Sequence, residues 1–134
     1  MEEGVKKDKG SLGLTFQVAE VKKPLISVKR ITEKGNKVCF GQENGDNFIE
    51  NSKTGDRIPL RQNGRGSYIL DVVFAGGRKT EITVDSGAEE SVCPWEWGEE
   101  FGINQEGQKM VFRGANGASI NHYGERKVFV QSPF

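Results

Sequence analysis

An all-β domain, a barrel or a sandwich, is the fold class this chain predicts. Short runs of β-type residues alternate with turn signals at close spacing. Glycine supplies 18 of the 134 residues, enough to punctuate many tight turns. Only one segment carries the apolar spacing of a helix. The length is that of one domain with a modest single core. Lysine plus arginine balance aspartate plus glutamate at 19 each, so no basic field argues for nucleic acid or an anionic membrane surface. No apolar run approaches a membrane span.

Residues 1–10 are polar throughout and show no signal-peptide pattern, so they read as a flexible solvated arm before a single domain over 11–134. Residues 14–21 alternate apolar with polar, as a half-buried strand does, until Lys22-Lys23-Pro24 stops them. Residues 25–34 place apolar side chains at Leu25, Val28 and Ile31, and Gly35 closes them as a C-cap, which predicts a short helix. Residues 37–40 and 47–50 are strand-like around a hairpin turn at Asn44-Gly45. Arg57-Ile58-Pro59-Leu60 follows a turn at residues 53–56, and Pro59, which has no N–H for a ladder, assigns it to a sheet edge. Residues 62–66 form a flexible connection.

Residues 68–74 and 79–84 flank Ala75-Gly76-Gly77-Arg78 as a hairpin. The stretch 91–98 is aromatic and broken by Pro94, with Trp95 and Trp97 read as core and cleft-wall packing rather than a ligand-stacking platform. Residues 109–113 and 119–123 flank the small residues 114–118 as a long hairpin, and 125–130 supply a further strand. Cys39 and Cys93 are too few for a disulfide framework and read as reduced, buried thiols. With one histidine, His122, and no Cys-x-x-Cys pair, no metal site is expected, and a Cys93/His122 nucleophilic pair has little to recommend it.

The most informative stretch is Val84-Asp85-Ser86-Gly87-Ala88. A β-patterned run delivers one carboxylate into a tight Ser-Gly turn, an arrangement that aims an aspartate into a cleft. Taken alone the triplet is also ordinary turn chemistry. Its setting adds weight, because a hairpin leads into it and a glycine-punctuated hairpin follows.

Together these segments resemble the retropepsin-like aspartic proteases of retroviruses and LTR retrotransposons, copia-type members in particular. Residues 68–84 are similar to that family's N-terminal hairpin, Asp85-Ser86-Gly87-Ala88 to its catalytic turn, and Arg113–Ala118 to its flap tip. Residues 15–18 followed by Pro24-Leu25-Ile26-Ser27-Val28 look like its late strand and helix entry, and 37–70 like the additional strands of copia-type members. The order differs: here the late strand and helix precede the catalytic turn and flap, so the chain reads as circularly permuted, or as a segment cut across tandem copies. Retroviral members carry glycine where Ser27 stands and arginine where Val28 stands. That departure leaves open what pairs with Glu89 and Glu90: Lys29, Arg30 or solvent, with solvent favoured for Glu90.

The resemblance implies a closed β-barrel with one short helix and a flap hairpin. It implies an aspartic endopeptidase without cofactor or metal, acting on an extended, polyprotein-type peptide. Asp85, Ser86 and Gly87 become the catalytic residues, and Ala88, Glu89, Gly114, Ala115, Asn116, Gly117 and Ala118 the substrate-binding ones. Val84, Ala88, Leu25 and Ile26 are pocket or sub-floor candidates. Two carboxylates facing one water cannot both ionise, so such a pair shares one proton and titrates as a unit. This chain has one Asp-Ser-Gly, so the second carboxylate must come from a second copy and the reading requires a homodimer. No nucleic acid or membrane partner is expected, and the location implied is intracellular or in a virus-like particle. Two alternatives stand beside it: a catalytically inactive barrel of the same kind serving as a dimerisation or peptide-binding module, and an unrelated small β-barrel binding domain in which Asp85 lies on a surface turn.

Overall fold

The computed structural model describes residues 12–107, 110–113, 117–131 and 133, and, apart from the side chain of Asn44, these carry the account below. The N-terminal arm read at 1–10 lies outside them. Among the described residues the protein is mostly β, with a closed six-stranded barrel and one short α-helix.

The barrel begins with β1 (Leu12–Ala19), which pairs antiparallel with β12 (His122–Gln131) from Leu12↔Val130 to Ala19↔His122. Its other neighbour is β9 (Val92–Cys93), in parallel. Next come β2 (Leu25–Ser27), β8 (Lys79–Asp85) and β7 (Tyr68–Phe74), and β7 returns to β12 at Val130↔Phe74 to close the ring. The short β6 (Arg61–Gln62) adds to the edge of β7. A separate three-stranded sheet holds β3 (Asn36–Cys39), β4 (Phe48–Asn51) and β5 (Arg57–Pro59) in that order. Pro59 thus sits on an edge strand, as its missing N–H requires.

Period-two alternation fixes the barrel's register. Leu70, Val72 and Phe74 of β7 and Ile82 of β8 are each at most 2% exposed. A one-residue slip would turn all four to solvent. At roughly 1.5–3 kcal/mol for each such side chain, that exceeds or rivals the whole stability of a typical domain, about 5–15 kcal/mol. On the outer face Asp71 lies directly opposite Glu81, a repulsive cross-strand pair. Arg61 of β6 bridges them, with bonds of 2.9 Å to each carboxylate. The hairpin turns at Gly77, whose φ of 101° suits glycine alone.

The helix α1 is Val28–Glu33, shorter than the spacing of residues 25–34 predicts. Leu25–Ser27 is taken instead by β8 and β9, so tertiary pairing overrides the local period and Ser27 becomes the N-cap, its Oγ accepting from Arg30 N–H. A second correction concerns Asn44-Gly45. The strands β3 and β4 do pair, but Asn44–Asp46 is a 3-10 turn inside a longer loop. The buried Asn47 organises that loop, accepting from Gly41 N–H at 2.7 Å and donating to Glu43 O at 3.0 Å.

Trp97 packs against Phe16 and Phe74 at ring distances of 4.9 and 5.0 Å and donates through Nε1 to Thr80 Oγ1. Trp95 is less enclosed, 43% exposed, and meets Tyr123 edge-on. Cys93 is fully buried, and burial pushes its thiol up to about 12, so it offers no thiolate at neutral pH. Cys39 is a free thiol as well, only partly buried.

Candidate active site

Asp85 is the last residue of β8, half-buried, and stands beside Ser27 in the parallel β2–β8 register. Its Oδ1 accepts from Gly87 N–H at 2.9 Å, which orients the carboxylate over the turn. Ser86 and Gly87 are exposed, Ala88 is half-buried and Glu89 is exposed. The chain then returns as β9 on the far side of β2, so the strand entering helix α1 is threaded between the two strands that the Asp85 turn connects.

That threading lets Ser27 strap the turn from below. Ser27 is fully buried; its Oγ–H donates to Ala88 O at 2.7 Å, and its N–H donates to Ser91 Oγ at 2.9 Å. Two ion pairs add to the strap. Lys29 bonds Glu89 at 2.9 Å, while Arg30 bonds Glu33 at 2.8 Å and also Glu90. Both cations weighed from the sequence are therefore used, and Glu90, with a side chain 23% exposed, is paired rather than solvated.

Lys29 holds the Glu89 carboxyl below its ordinary 4.5, chiefly by hydrogen bonding, and Glu89 in turn raises Lys29. A lowered acid stabilises the fold fully above that ordinary value and loses the contribution as pH falls through the folded value. The pair is exposed, so the effect is small. Glu89→Gln is expected to lower the urea midpoint slightly at neutral pH, with the difference from the parent shrinking as pH falls below 4.5 and vanishing once the folded carboxyl is protonated. Paired urea titrations across that range check it.

Gly87 is not required by the fold. Its φ is not positive, and an added Cβ would meet nothing closer than Asp85 Oδ1, at 3.5 Å. Gly124 contrasts with it: there φ is 149° and a Cβ would lie 2.7 Å from Asn104 O, so backbone geometry alone demands glycine.

The second hairpin is shorter than residues 109–113 and 119–123 predict: β10 (Phe112–Arg113) pairs with β11 (Ser119–Ile120) over two residues each, while His122 and Tyr123 belong to β12, where pairing with β1 claims them. Gly117, with φ of 83°, and Ala118 are exposed at its end. Gly114, Ala115 and Asn116 lie outside the described residues. At the hairpin's base, Met110 N–H donates to His122 Nδ1 at 2.9 Å, which leaves Nε2–H to donate to Gln17 Oε1, also at 2.9 Å. Gln17 Nε2 donates in turn to Glu125 Oε2 at 3.2 Å. This anchor ties the hairpin to the barrel wall and commits both imidazole nitrogens, so His122 does not face Cys93 as a base. Of the pocket candidates, Val84 and Ile26 are buried in the core, and Leu25 and Ala88 are half-buried.

Sequence reasoning missed Ser27 and Ser91 as turn supports and His122 as a hairpin anchor. The signal for Ser27 was available, since serine ahead of Val28 and Ile31 is an N-cap pattern. Among the described residues no group of three or more histidine, cysteine or acidic side chains is placed to hold a metal ion, and no helix is long and apolar enough to cross a membrane. Compared with family models, curated proteins and solved structures, the chain matches none.

Proposed function

We propose that the protein is an aspartic endopeptidase of retropepsin-like, circularly permuted build, active as a homodimer in which Asp85 meets its counterpart across a two-fold axis. The observation that carries this reading is the strapped turn. A carboxylate at a strand end, held on a turn that a buried serine and two ion pairs fasten to the helix behind it, is more support than a solvated loop needs. The pairing of Leu12 with Val130 is in keeping with permutation, because it sets the two limbs of one connection side by side.

In the proposed reaction the pair of Asp85 carboxylates holds one proton. The ionised member takes a proton from water as its oxygen attacks the peptide carbonyl carbon; the protonated member gives its proton to the developing oxyanion. The tetrahedral carbon then expels the amine: its nitrogen takes the proton that the first carboxylate drew from water, the C–N bond breaks, and a hydroxyl of the diol returns its proton to the second carboxylate, leaving acid, amine and a pair that again holds one proton. Substrate lies extended under the 112–120 hairpin, bonded through its main chain. Ser86 contacts the partner's turn, and Gly87 lets backbone and substrate approach.

The test is incubation of the protein with an unstructured polypeptide from acid to neutral pH, beside Asp85→Asn. Cleavage by the parent and none by the variant, at equal stability, is expected. Absence of cleavage by both removes the hydrolytic reading and favours a dimerisation or peptide-binding module.

A further inference from the structure

Strict alternation along β12 would set His122 and Glu125 on opposite faces. A bulge intervenes. Val18 pairs with Gly124 and the next residue, Ala19, pairs with His122, so Tyr123 is the extra residue and the parity switches. His122 thereby joins Glu125 beside Gln17, which pairs with Glu125 across the strands and is 6% exposed.

The three side chains form a relay whose bond directions are fixed. A carboxylate only accepts, so Gln17 turns its Nε2 to Glu125 and its Oε1 to His122. That oxygen needs a donor, which puts the imidazole proton on Nε2 and leaves the Nδ1 lone pair for Met110 N–H. The hairpin that this bond serves is held unequally on its two limbs. Its exit limb is fastened by main chain, because Glu20 N–H donates to Asn121 O at 3.0 Å and β12 runs on along β1. On the entry limb Val111 is 76% exposed, and among the described hydrogen bonds it is the one from Met110 that ties residues 110–113 to the barrel.

We propose that this relay is a pH-operated latch: neutral His122 holds the entry limb through Nδ1, and protonation of Nδ1 releases that limb while Nε2–H keeps its bond to Gln17. A protonated Nδ1 is a donor facing the Met110 N–H, and two donors cannot bond. Imidazole is the side chain that ordinarily changes charge between about pH 5 and 8. The ring is half-buried and borders a cavity of about 130 Å³ that Gly107 and Met110 also line, enough for water to reach it.

Other charged groups surround the ring. Among the described residues they are Glu125, Arg126 and Lys127 on β12, Glu20 just after β1, Glu106 in the 104–110 loop and Arg113 on β10; β1 itself carries none. Glu20 accepts from Asn121 N–H, Arg113 donates to Gly117 O and Ser119 Oγ, and Arg126 is turned to the carbonyls of Trp95, Trp97 and Gly102. Replacing His122 alone leaves all of them in place and so isolates the imidazole. In the aspartic endopeptidase reading, on which this consequence rests, the hairpin closes over substrate as pH rises and opens as it falls. The latch itself is read without any cleavage.

The test is amide hydrogen exchange of the full chain, followed by NMR from about pH 8 to about pH 5 and corrected for the intrinsic pH dependence of exchange, with the His122 ring nitrogens titrated in the same samples. Protection of the Met110 amide is expected to fall about tenfold or more as the ring gains its proton, while the ladder amides of β1 and β12 keep theirs. His122→Asn, whose Oδ1 offers an acceptor in place of Nδ1 but does not titrate, should hold Met110 protection level across the range. The parent alone carries the first readout, so the proposal is decided even where the variant fails to fold. Met110 protection that ignores the imidazole titration, that falls together with the β1 and β12 ladder, or that falls equally in folded His122→Asn overturns the proposal. Loss of the endopeptidase reading is recognised separately, as absence of peptide cleavage with the Met110 response intact.

Discussion

Arg126→Ala is expected to lower the unfolding free energy by about 3–5 kcal/mol, a large share of the roughly 5–15 kcal/mol typical of a domain. Arg126 points inward from β12 and is 3% exposed. Its guanidinium donates to three backbone carbonyls: Gly102 O at 2.7 Å, Trp95 O at 2.8 Å and Trp97 O. It thereby pins the segment that presses Trp97 onto Phe16 and Phe74. Hydrogen bonds to a charged donor are worth about 1.5–3 kcal/mol each, and alanine would leave three carbonyls without their donor. Arg126→Lys should recover only part of the loss, because an ammonium cannot reproduce the planar fork. Urea unfolding at unchanged slope measures both. A cost below about 1 kcal/mol for the alanine variant would show that solvent replaces the clamp without penalty.

Gly87→Ala is expected to separate stability from activity. The protomer tolerates a methyl there, so stability should equal the parent's or rise by about 0.4–1 kcal/mol through reduced freedom of the unfolded chain. Cleavage should nonetheless fall by about 100-fold or more in kcat/KM, because the methyl would intrude where substrate and the second turn approach, and small misplacements near the reacting atoms are that costly. Full activity in this variant would contradict the close approach. A loss of stability would instead mean that the turn has less room than its geometry indicates.

The hairpin over 68–85 was legible because β-branched alternation and a Gly-Gly turn point the same way at every level. The helix start was misplaced because Leu25, Val28 and Ile31 satisfy a helical period while Leu25 and Ile26 are also good strand residues. Only pairing with β8 and β9, about 60 residues away in sequence, decides between them. The strap under Asp85 was hidden for the same reason, since the Ser27–Ala88 and Ser27–Ser91 contacts are entirely non-local. Glu90 was misjudged because a charged residue after a turn is usually solvated, and nothing local shows that Arg30 lies beside it. The placement of Asp85 at a strand end was legible, because the strand and the Ser-Gly turn that position it are contiguous with it.

The most direct measurement is cleavage by a fixed amount of parent protein as Asp85→Asn is added in increasing excess. If two Asp85 side chains share one water, mixed dimers carry a single competent carboxylate, so activity should fall toward zero as the variant captures parent chains. In the parent alone, dilution should reduce activity more steeply than in proportion to concentration. Activity that is proportional to parent concentration and indifferent to any excess of the variant would contradict the paired-carboxylate account.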